Sequence, residues 1–103
     1  MSLTDKQQDF AEMVGLLLQK APQMGYRITL GDAYRDPRVG YGNPKSLHRS
    51  RLAIDLNVFK GGEYLTTGEQ YTDLGEWWES IGGAWGGRFQ DGNHFSLAHN
   101  GMK

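Results

Sequence analysis

Leu52-Ala53-Ile54-Asp55-Leu56-Asn57-Val58 is the stretch on which the fold depends, because large apolar side chains recur at every second position. This period of two is typical of a β-strand with one buried face. Lys60-Gly61-Gly62-Glu63 follows as a turn, and Tyr64-Leu65 can return beside the strand as a short partner. Asp55 interrupts the apolar run, and a carboxylate there needs a partner because an unpaired buried charge is costly.

The residues before this strand predict a helix, a second strand and a loop. Apolar side chains recur with the helical period over residues 4–21, with Thr4 and Gln7 at capping-box spacing. Pro22 and Gly25 are expected to end the helix. Residues 26–31 alternate as a strand, and residues 32–47 predict a long loop of the kind that often carries function.

The residues after the central strand predict a second helix and a final pair of strands. Thr67 and Gln70 repeat the capping spacing, and the helix that follows should stop at Gly82-Gly83. Residues 84–98 predict strand, turn, strand. The whole order predicts the α+β class, as a small domain with a mostly antiparallel sheet flanked by two main helices.

Composition limits the possible functions. The chain has 103 residues, enough for one domain over 1–103, and it has no cysteine, so any metal must be held by nitrogen and oxygen ligands. A net charge of -1 without a basic stripe argues against nucleic-acid binding. The sequence has no run of 18 apolar residues and no visible signal peptide, so no membrane insertion is expected.

Two of the three histidines have a carboxylate nearby in sequence. His48 and Asp55 are seven residues apart, a separation that spans roughly 23 Å on a straight strand and about 10 Å along a helix axis. They can meet only if the chain turns between them, and Arg49-Ser50-Arg51 is the expected turn. Alone, Asp55 could instead form a salt bridge with an arginine (Arg27, Arg35 or Arg51), and His48 could be a surface histidine.

The second pair is Asp91 and His94, which are three residues apart in a turn containing Gly92 and Asn93. His48, Asp55 and His94 together would offer two imidazoles and one carboxylate, the ligand count of a catalytic zinc site with a fourth position open for water. Asp91 suits a general base that stays off the metal. Alternatively, Asp91 only caps the turn.

At these residues the sequence resembles the zinc D-Ala-D-Ala carboxypeptidase/L-alanyl-D-glutamate peptidase family, and most closely its short single-domain phage endolysins. The family pattern of Ser-x-His, six residues and Asp is matched by Ser46-Leu47-His48 and Asp55, and the later acid-x-x-His by Asp91 to His94. Tyr34-Arg35 is similar to the arginine that precedes the metal motif in the family, and Trp85–Phe89 is similar to the run leading to its last motif. The match spans roughly residues 25–97. It departs from many members at Arg51, where they have Gly, and at Asp91, where they have Glu.

The resemblance implies a Hedgehog/DD-peptidase-like fold and a role for each residue. His48, Asp55 and His94 would bind Zn²⁺, Asp91 would be the acid/base, and Arg35 would stabilise the oxyanion or a substrate carboxylate. Ser46 and Tyr34 would contact substrate.

The implied protein is a peptidoglycan hydrolase without a separate cell-wall-binding module. It would cut the stem peptide of bacterial peptidoglycan at an L-Ala-D-Glu or D-Ala-D-Ala bond during phage or prophage lysis. We expect a monomer that stays in the host bacterial cytoplasm and acts on the cell wall after membrane permeabilisation.

Several other functions compete with this one. A cytoplasmic D,D-dipeptidase of the same family would need an occluded pocket, whereas the loop over residues 36–47 favours an open cleft. A non-enzymatic metal-binding cell-wall module would not need the acid at Asp91. A metal nuclease would need a basic surface, and a lysozyme would need paired carboxylates along a sugar cleft.

Overall fold

The computed structural model describes residues 1–36, 38–41 and 46–103. The described elements are two α-helices and five strands: α1 (Leu3–Gln23), β1 (Arg27–Leu30), β2 (Ala53–Lys60), β3 (Glu63–Tyr64), α2 (Thr72–Ser80), β4 (Ala84–Trp85) and β5 (His94–Ser96). Short 3-10 helices cover Leu47–Ser50, Gly68–Tyr71 and Gly86–Phe89. The predicted α+β class is confirmed.

Strand β2 is the centre of the sheet. The strand order is β1-β2-β5-β4, with β3 also paired to β2, and every pairing is antiparallel. The first half of β2 pairs with β5 and the second half with β1. The β2–β3 turn contains Gly61 and Gly62, with φ values of 60° and 82°, as the tight hairpin turn requires.

The period of two along β2 separates the core from the site. Ile54, Leu56 and Val58 are buried in the core, while Asp55 and Asn57 between them are only partly buried. Because successive side chains on a strand point to opposite faces, Asp55 lies on the face away from the core. Its direct partner across the β2–β5 pairing is His94.

Trp78 joins both helices to the sheet. Its ring packs edge-on against Phe10 of α1 and Phe95 of β5, each with ring centroids 6.0 Å apart. The indole Nε1 donates to the carbonyls of Ser96 and Ala84 at 3.0 and 3.1 Å. A fully buried tryptophan with its polar atom satisfied fixes the sheet against the helices.

The start of α1 differs from the prediction. The capping box is formed by Ser2 and Asp5, with hydrogen bonds of 3.0 and 3.3 Å, and the assignment to Thr4 and Gln7 was wrong. Both pairs have suitable side chains at the same spacing, so only the position of the first helical residue decides between them. Gln7 instead donates from its side chain to the carbonyl of Ser50 at 2.8 Å.

The second helix and the final segment are more irregular than predicted. The Gln70 side chain accepts hydrogen bonds from the Thr67 and Thr66 amides at 3.1 and 2.9 Å, which confirms the predicted cap. A 3-10 turn then precedes α2, and another lies between β4 and β5.

Residues 32–36 and 38–41 of the predicted loop contain neither helix nor strand. Residues 37 and 42–45 of that loop lie outside the described part of the chain. Within the described residues, no helix combines the length and apolar character needed to cross a membrane.

Candidate metal centre and catalytic cavity

His48 is positioned by a 3-10 helix that ends in a sharp turn. The Ser46 hydroxyl accepts a hydrogen bond from the His48 amide at 3.3 Å, at the start of this helix. Arg51 adopts a left-handed conformation with φ of 56°, and Leu52 then returns its amide to the Leu47 carbonyl at 3.0 Å. The predicted turn between His48 and Asp55 is therefore confirmed.

His48, Asp55 and His94 meet on the sheet face away from the core. His48 Nε2 lies 3.2 Å from Asp55 Oδ1, and His94 Nδ1 lies 3.8 Å from the same oxygen. One ligand atom from each residue falls within 4.8 Å of the others. Three residues separated by up to 46 positions thus form a single donor cluster.

The ring hydrogen bond of His48 indicates which of its two ring nitrogens has an available lone pair. Its Nδ1 lies 3.2 Å from the Ala33 carbonyl, which can only accept, so Nδ1 carries the proton. Nε2 then presents a lone pair toward Asp55 Oδ1. That oxygen is buried and has no hydrogen-bond partner among the described residues. Two facing lone pairs at 3.2 Å need a cation between them, either a metal ion or a proton.

The donor geometry fits zinc. With metal–ligand bonds of about 2.0–2.1 Å in a tetrahedral site, neighbouring ligand atoms lie about 3.3–3.4 Å apart. The distances of 3.2 and 3.8 Å bracket this value. The hydrogen bond to the Ala33 carbonyl fixes the tautomer and the ring orientation of His48. Backbone carbonyls commonly do the same for metal-binding histidines.

Asp91 stands beside the cluster on a tight turn. Its amide donates to the Gly86 carbonyl at 2.8 Å, and its own carbonyl accepts from the His94 amide at 3.0 Å. The carboxylate is 51% exposed, and its Oδ2 lies 3.7 Å from His94 Nδ1. Asp55 is held inside the cluster, whereas Asp91 is at its solvent edge, so the two carboxylates differ in environment.

The pKa values of His48 and His94 are shifted in opposite directions. Burial alone would lower the pKa of His48, but the hydrogen bond and charge of Asp55 outweigh burial and raise that pKa above its usual value. Burial is also the largest influence on His94, and there it lowers the pKa, although the charge of Asp91 partly opposes it. Between the lowered pKa of His94 and the raised pKa of His48, His94 is neutral while His48 still holds a proton.

Arg35 supplies a nearly buried positive charge to the cavity that contains the donor cluster. Its side chain is only 11% exposed, and its nearest carboxylate is Asp32 at 3.6 Å. The Nε atom is buried without a hydrogen-bond partner among the described residues. Its guanidinium carbon lies 4.9 Å from the centre of the Tyr41 ring. Within the described residues, the ion pairs of Asp55 are with His48 and His94. The salt bridge between Asp55 and Arg35, which the sequence left open, is not formed there.

These side chains border one cavity of about 530 Å³. Of the predicted site residues it brings together six: Arg35, Ser46, His48, Asp55, Asp91 and His94. Tyr34 does not border it, because its ring stacks under the guanidinium of Arg51 at 3.9 Å. A substrate contact at Tyr34 remains a prediction from the resemblance.

Sequence reasoning missed four residues of the cavity wall: Phe89, Gly101, Met102 and Lys103. Phe89 is 44% exposed and packs edge-on against the His94 ring, with centroids 5.5 Å apart. It lies in the stretch that resembles the family, which was the available signal. For residues 101–103 the sequence carried no such signal.

The turn at residues 99–102 is fixed to α1. His99 and Met102 exchange backbone hydrogen bonds of 2.9 Å, and Lys6 donates to the Ala98 carbonyl. His99 Nδ1 lies 3.3 Å from Lys6 Nζ and outside the donor cluster. His99 therefore takes no part in the cluster, and its segment is held in place by these contacts.

The fold and the donor cluster define a small α+β domain in which two histidines and one carboxylate could hold a metal ion beside a second acidic group. A family model described as D-alanyl-D-alanine carboxypeptidase matches residues 40–97, more than half of the chain. The chain belongs to this peptidase family. No curated protein matches the chain.

Proposed function

We propose that this protein is a zinc-dependent peptidase that hydrolyses an amide bond in the stem peptide of bacterial peptidoglycan. The observation that carries the proposal is the convergence of His48 Nε2 and His94 Nδ1 on Asp55 Oδ1. That oxygen is buried and has no hydrogen-bond partner among the described residues. Membership of a family of D-alanyl-D-alanine carboxypeptidases supports the substrate class. Two histidines and one carboxylate match a ligand set used by catalytic zinc sites.

His48, Asp55 and His94 would hold the zinc ion. When bound, zinc would polarise the scissile carbonyl and make water a better nucleophile near neutral pH. The protein prepares this site by holding Nδ1 of His48 on the Ala33 carbonyl, so that the Nε2 lone pair is already directed inward. Pre-oriented ligands reduce the ordering that metal binding would otherwise require.

Asp91 acts as the general base and then as the general acid. Its carboxylate borders the cavity and remains half-exposed, so it can accept a proton from the attacking water. The same proton can then pass to the nitrogen of the leaving amine. The 3.7 Å separation from His94 Nδ1 keeps Asp91 next to the donor cluster.

Arg35 stabilises the negative charge that develops on the substrate oxygen, or binds a substrate carboxylate. Its guanidinium is nearly buried and its Nε has no partner among the described residues, so a hydrogen-bond donor is free for the substrate. A fixed cation in a poorly solvated cavity is more effective than one in water. Ser46 contributes by fixing the His48 amide, and as a cavity residue it can also contact substrate.

The biological role that we propose is cell lysis by a phage or prophage endolysin. The enzyme would act as a monomer, remain in the host cytoplasm, and reach the wall once the membrane is opened. Added from outside, it should clear permeabilised Gram-negative cells and leave cells with intact outer membranes unchanged. Spontaneous secretion of a processed form would contradict this role.

Two measurements test the proposal. Elemental analysis of protein purified without chelator should give one zinc per chain, and His48→Ala and His94→Ala should lose it. His99→Ala is the matched control, because His99 lies outside the donor cluster. Mass analysis of fragments released from purified peptidoglycan identifies the bond that is cut. Equal zinc content in all four proteins, or no released peptide, would overturn the assignment.

A further inference from the structure

A second cleft lies next to the catalytic cavity and has no role in the chemistry described above. Its volume is about 620 Å³, slightly larger than that of the catalytic cavity. The wall is built from the β3 end and the following 3-10 turn on one side, and from residues 87, 88 and 90–93 on the other. Asp91 borders both spaces, so the two clefts adjoin at the proposed acid/base.

The side chains of this second cleft are mainly neutral hydrogen-bonding groups. They include Thr66, Thr67, Gln90 and Asn93, and Tyr64 offers a half-exposed aromatic ring at 49% exposure. Hydroxyl and amide groups beside an aromatic face suit a ligand with many hydroxyls, an amide and an apolar ring face. N-acetylated amino sugars have these features.

The charges of the second cleft disfavour an acidic ligand. Arg88 borders it, but its guanidinium is bound by Glu79 through two hydrogen bonds of 3.0 and 2.7 Å. Glu69 and Asp91 border the same space and are negatively charged at neutral pH. In the catalytic cavity, by contrast, Arg35 offers a donor without a partner among the described residues. A substrate that is neutral at one end and acidic at the other would therefore bind in one direction across Asp91.

We infer that the second cleft is a binding subsite for the N-acetylated sugar chain to which the stem peptide is attached. The inference rests on the proposed function, because it places the peptide of the same substrate in the catalytic cavity. The sugar occupies the neutral cleft, and the carboxylate-bearing peptide extends toward Arg35. The enzyme then acts on peptide still attached to glycan, rather than on free peptide.

The length of peptide between the sugar and the scissile bond limits which bond of the substrate can lie at Asp91. An extended peptide advances about 3.3–3.6 Å per residue. The first amide bond of the stem peptide is therefore within one residue of the sugar, whereas a bond four residues along is about 13–14 Å away. Because the two clefts adjoin at Asp91, occupancy of the sugar subsite favours cleavage close to the glycan.

The first test measures sugar binding without catalysis. Unlabelled N-acetylglucosamine oligosaccharide is titrated into zinc-loaded, ¹⁵N-labelled protein, and amide shifts are followed by NMR. We expect saturable shifts at residues 64–69 and 87–93 in wild type, and at least a tenfold weaker Kd in Tyr64→Ala. Tyr64→Phe, which keeps the ring, should retain binding, as should Leu16→Ala on the exposed face of α1. No saturable shifts, or shifts confined to the catalytic cavity, would overturn the subsite.

The second test compares two substrates in turnover: a disaccharide-bearing stem peptide, and the same peptide with the sugar removed. We expect kcat/KM to be at least tenfold higher for the sugar-bearing substrate, and Tyr64→Ala to bring this ratio toward one. Equal cleavage of both substrates by wild type would refute the subsite while leaving the peptidase function intact. Sugar binding in the cleft without cleavage of either substrate would refute the proposed function and leave the subsite standing.

Discussion

Gly86 is the residue at which a single added methyl group should damage the site most directly. It opens the 3-10 helix before the Asp91 turn, and its carbonyl accepts the Asp91 amide. A Cβ atom built on Gly86 would lie 2.1 Å from the Asp91 carbonyl oxygen and 2.6 Å from His94 Cβ. Both neighbours belong to the residues proposed for proton transfer and zinc binding, and neither is the end of a flexible side chain.

The size of the effect follows from these distances. Real Cβ contacts essentially never fall below 3.0 Å, so the Asp91 carbonyl must move by roughly 0.9 Å in Gly86→Ala. Overpacking of this kind typically costs about 1–3 kcal/mol of stability. A displacement of about 1 Å in a catalytic group costs about 100-fold in rate. We therefore expect a folded protein with kcat reduced about 100-fold and weaker zinc binding.

The assay combines thermal unfolding, zinc titration and turnover on peptidoglycan. Gly83→Ala is the matched control for destabilisation, because its Cβ would meet the Trp78 ring at 2.1 Å, in the core rather than at the site. Gly15→Ala has nothing within 4 Å of its Cβ and should be neutral or stabilising. Normal turnover and zinc affinity in folded Gly86→Ala would refute the reasoning. So would an equal loss of turnover in Gly83→Ala at matched stability.

Three further predictions concern charge and protons at the site. Asp91→Ala and Asp91→Asn should remain folded and bind zinc, but their activity should fall by about two to four powers of ten, the usual contribution of a positioned acid/base. Asp91→Glu should recover part of the lost activity. Zinc analysis and turnover check this, and zinc loss in Asp91→Ala but not in Asp55→Ala would reverse the two assignments. Arg35→Lys should reduce kcat at least tenfold with little change in the unfolding midpoint, since lysine lacks the planar fork of donors; unchanged turnover, or simple unfolding, would remove Arg35 from the mechanism. Zinc binding requires neutral imidazoles, and the pKa of His48 is raised, so zinc affinity should increase with pH through that raised pKa and level off above it. Calorimetry of zinc binding near pH 6.5, in buffers of different ionisation enthalpy, should detect the proton released when zinc binds. His94 should contribute less of this proton than His48, because the pKa of His94 is lowered. Zinc binding without proton release would contradict this reasoning.

Local sequence patterns were sufficient for the main elements and for the donor set. The alternation over Leu52–Val58 predicted β2, and Gly61-Gly62 predicted the hairpin that follows. Spacing and residue type singled out His48, Asp55 and His94 because few residue types bind metals and the chain has only three histidines. The turn required between His48 and Asp55 was also foreseen, since neither a straight strand nor a helix could bring them together.

Only the tertiary structure decided which groups face each other. Contacts between distant segments set the register that places Asp55 opposite His94 and build the cavity wall at Phe89 and Met102. They also bury Arg35 Nε without a hydrogen-bond partner in the described part of the chain. The capping error at α1 has a related cause, because Ser2/Asp5 and Thr4/Gln7 have equivalent chemistry and the helix start selects between them. Residue type and spacing along the chain determine what a side chain can bind, but distance and burial determine what it does bind. Those depend on how the sheet, the helices and the turns pack together.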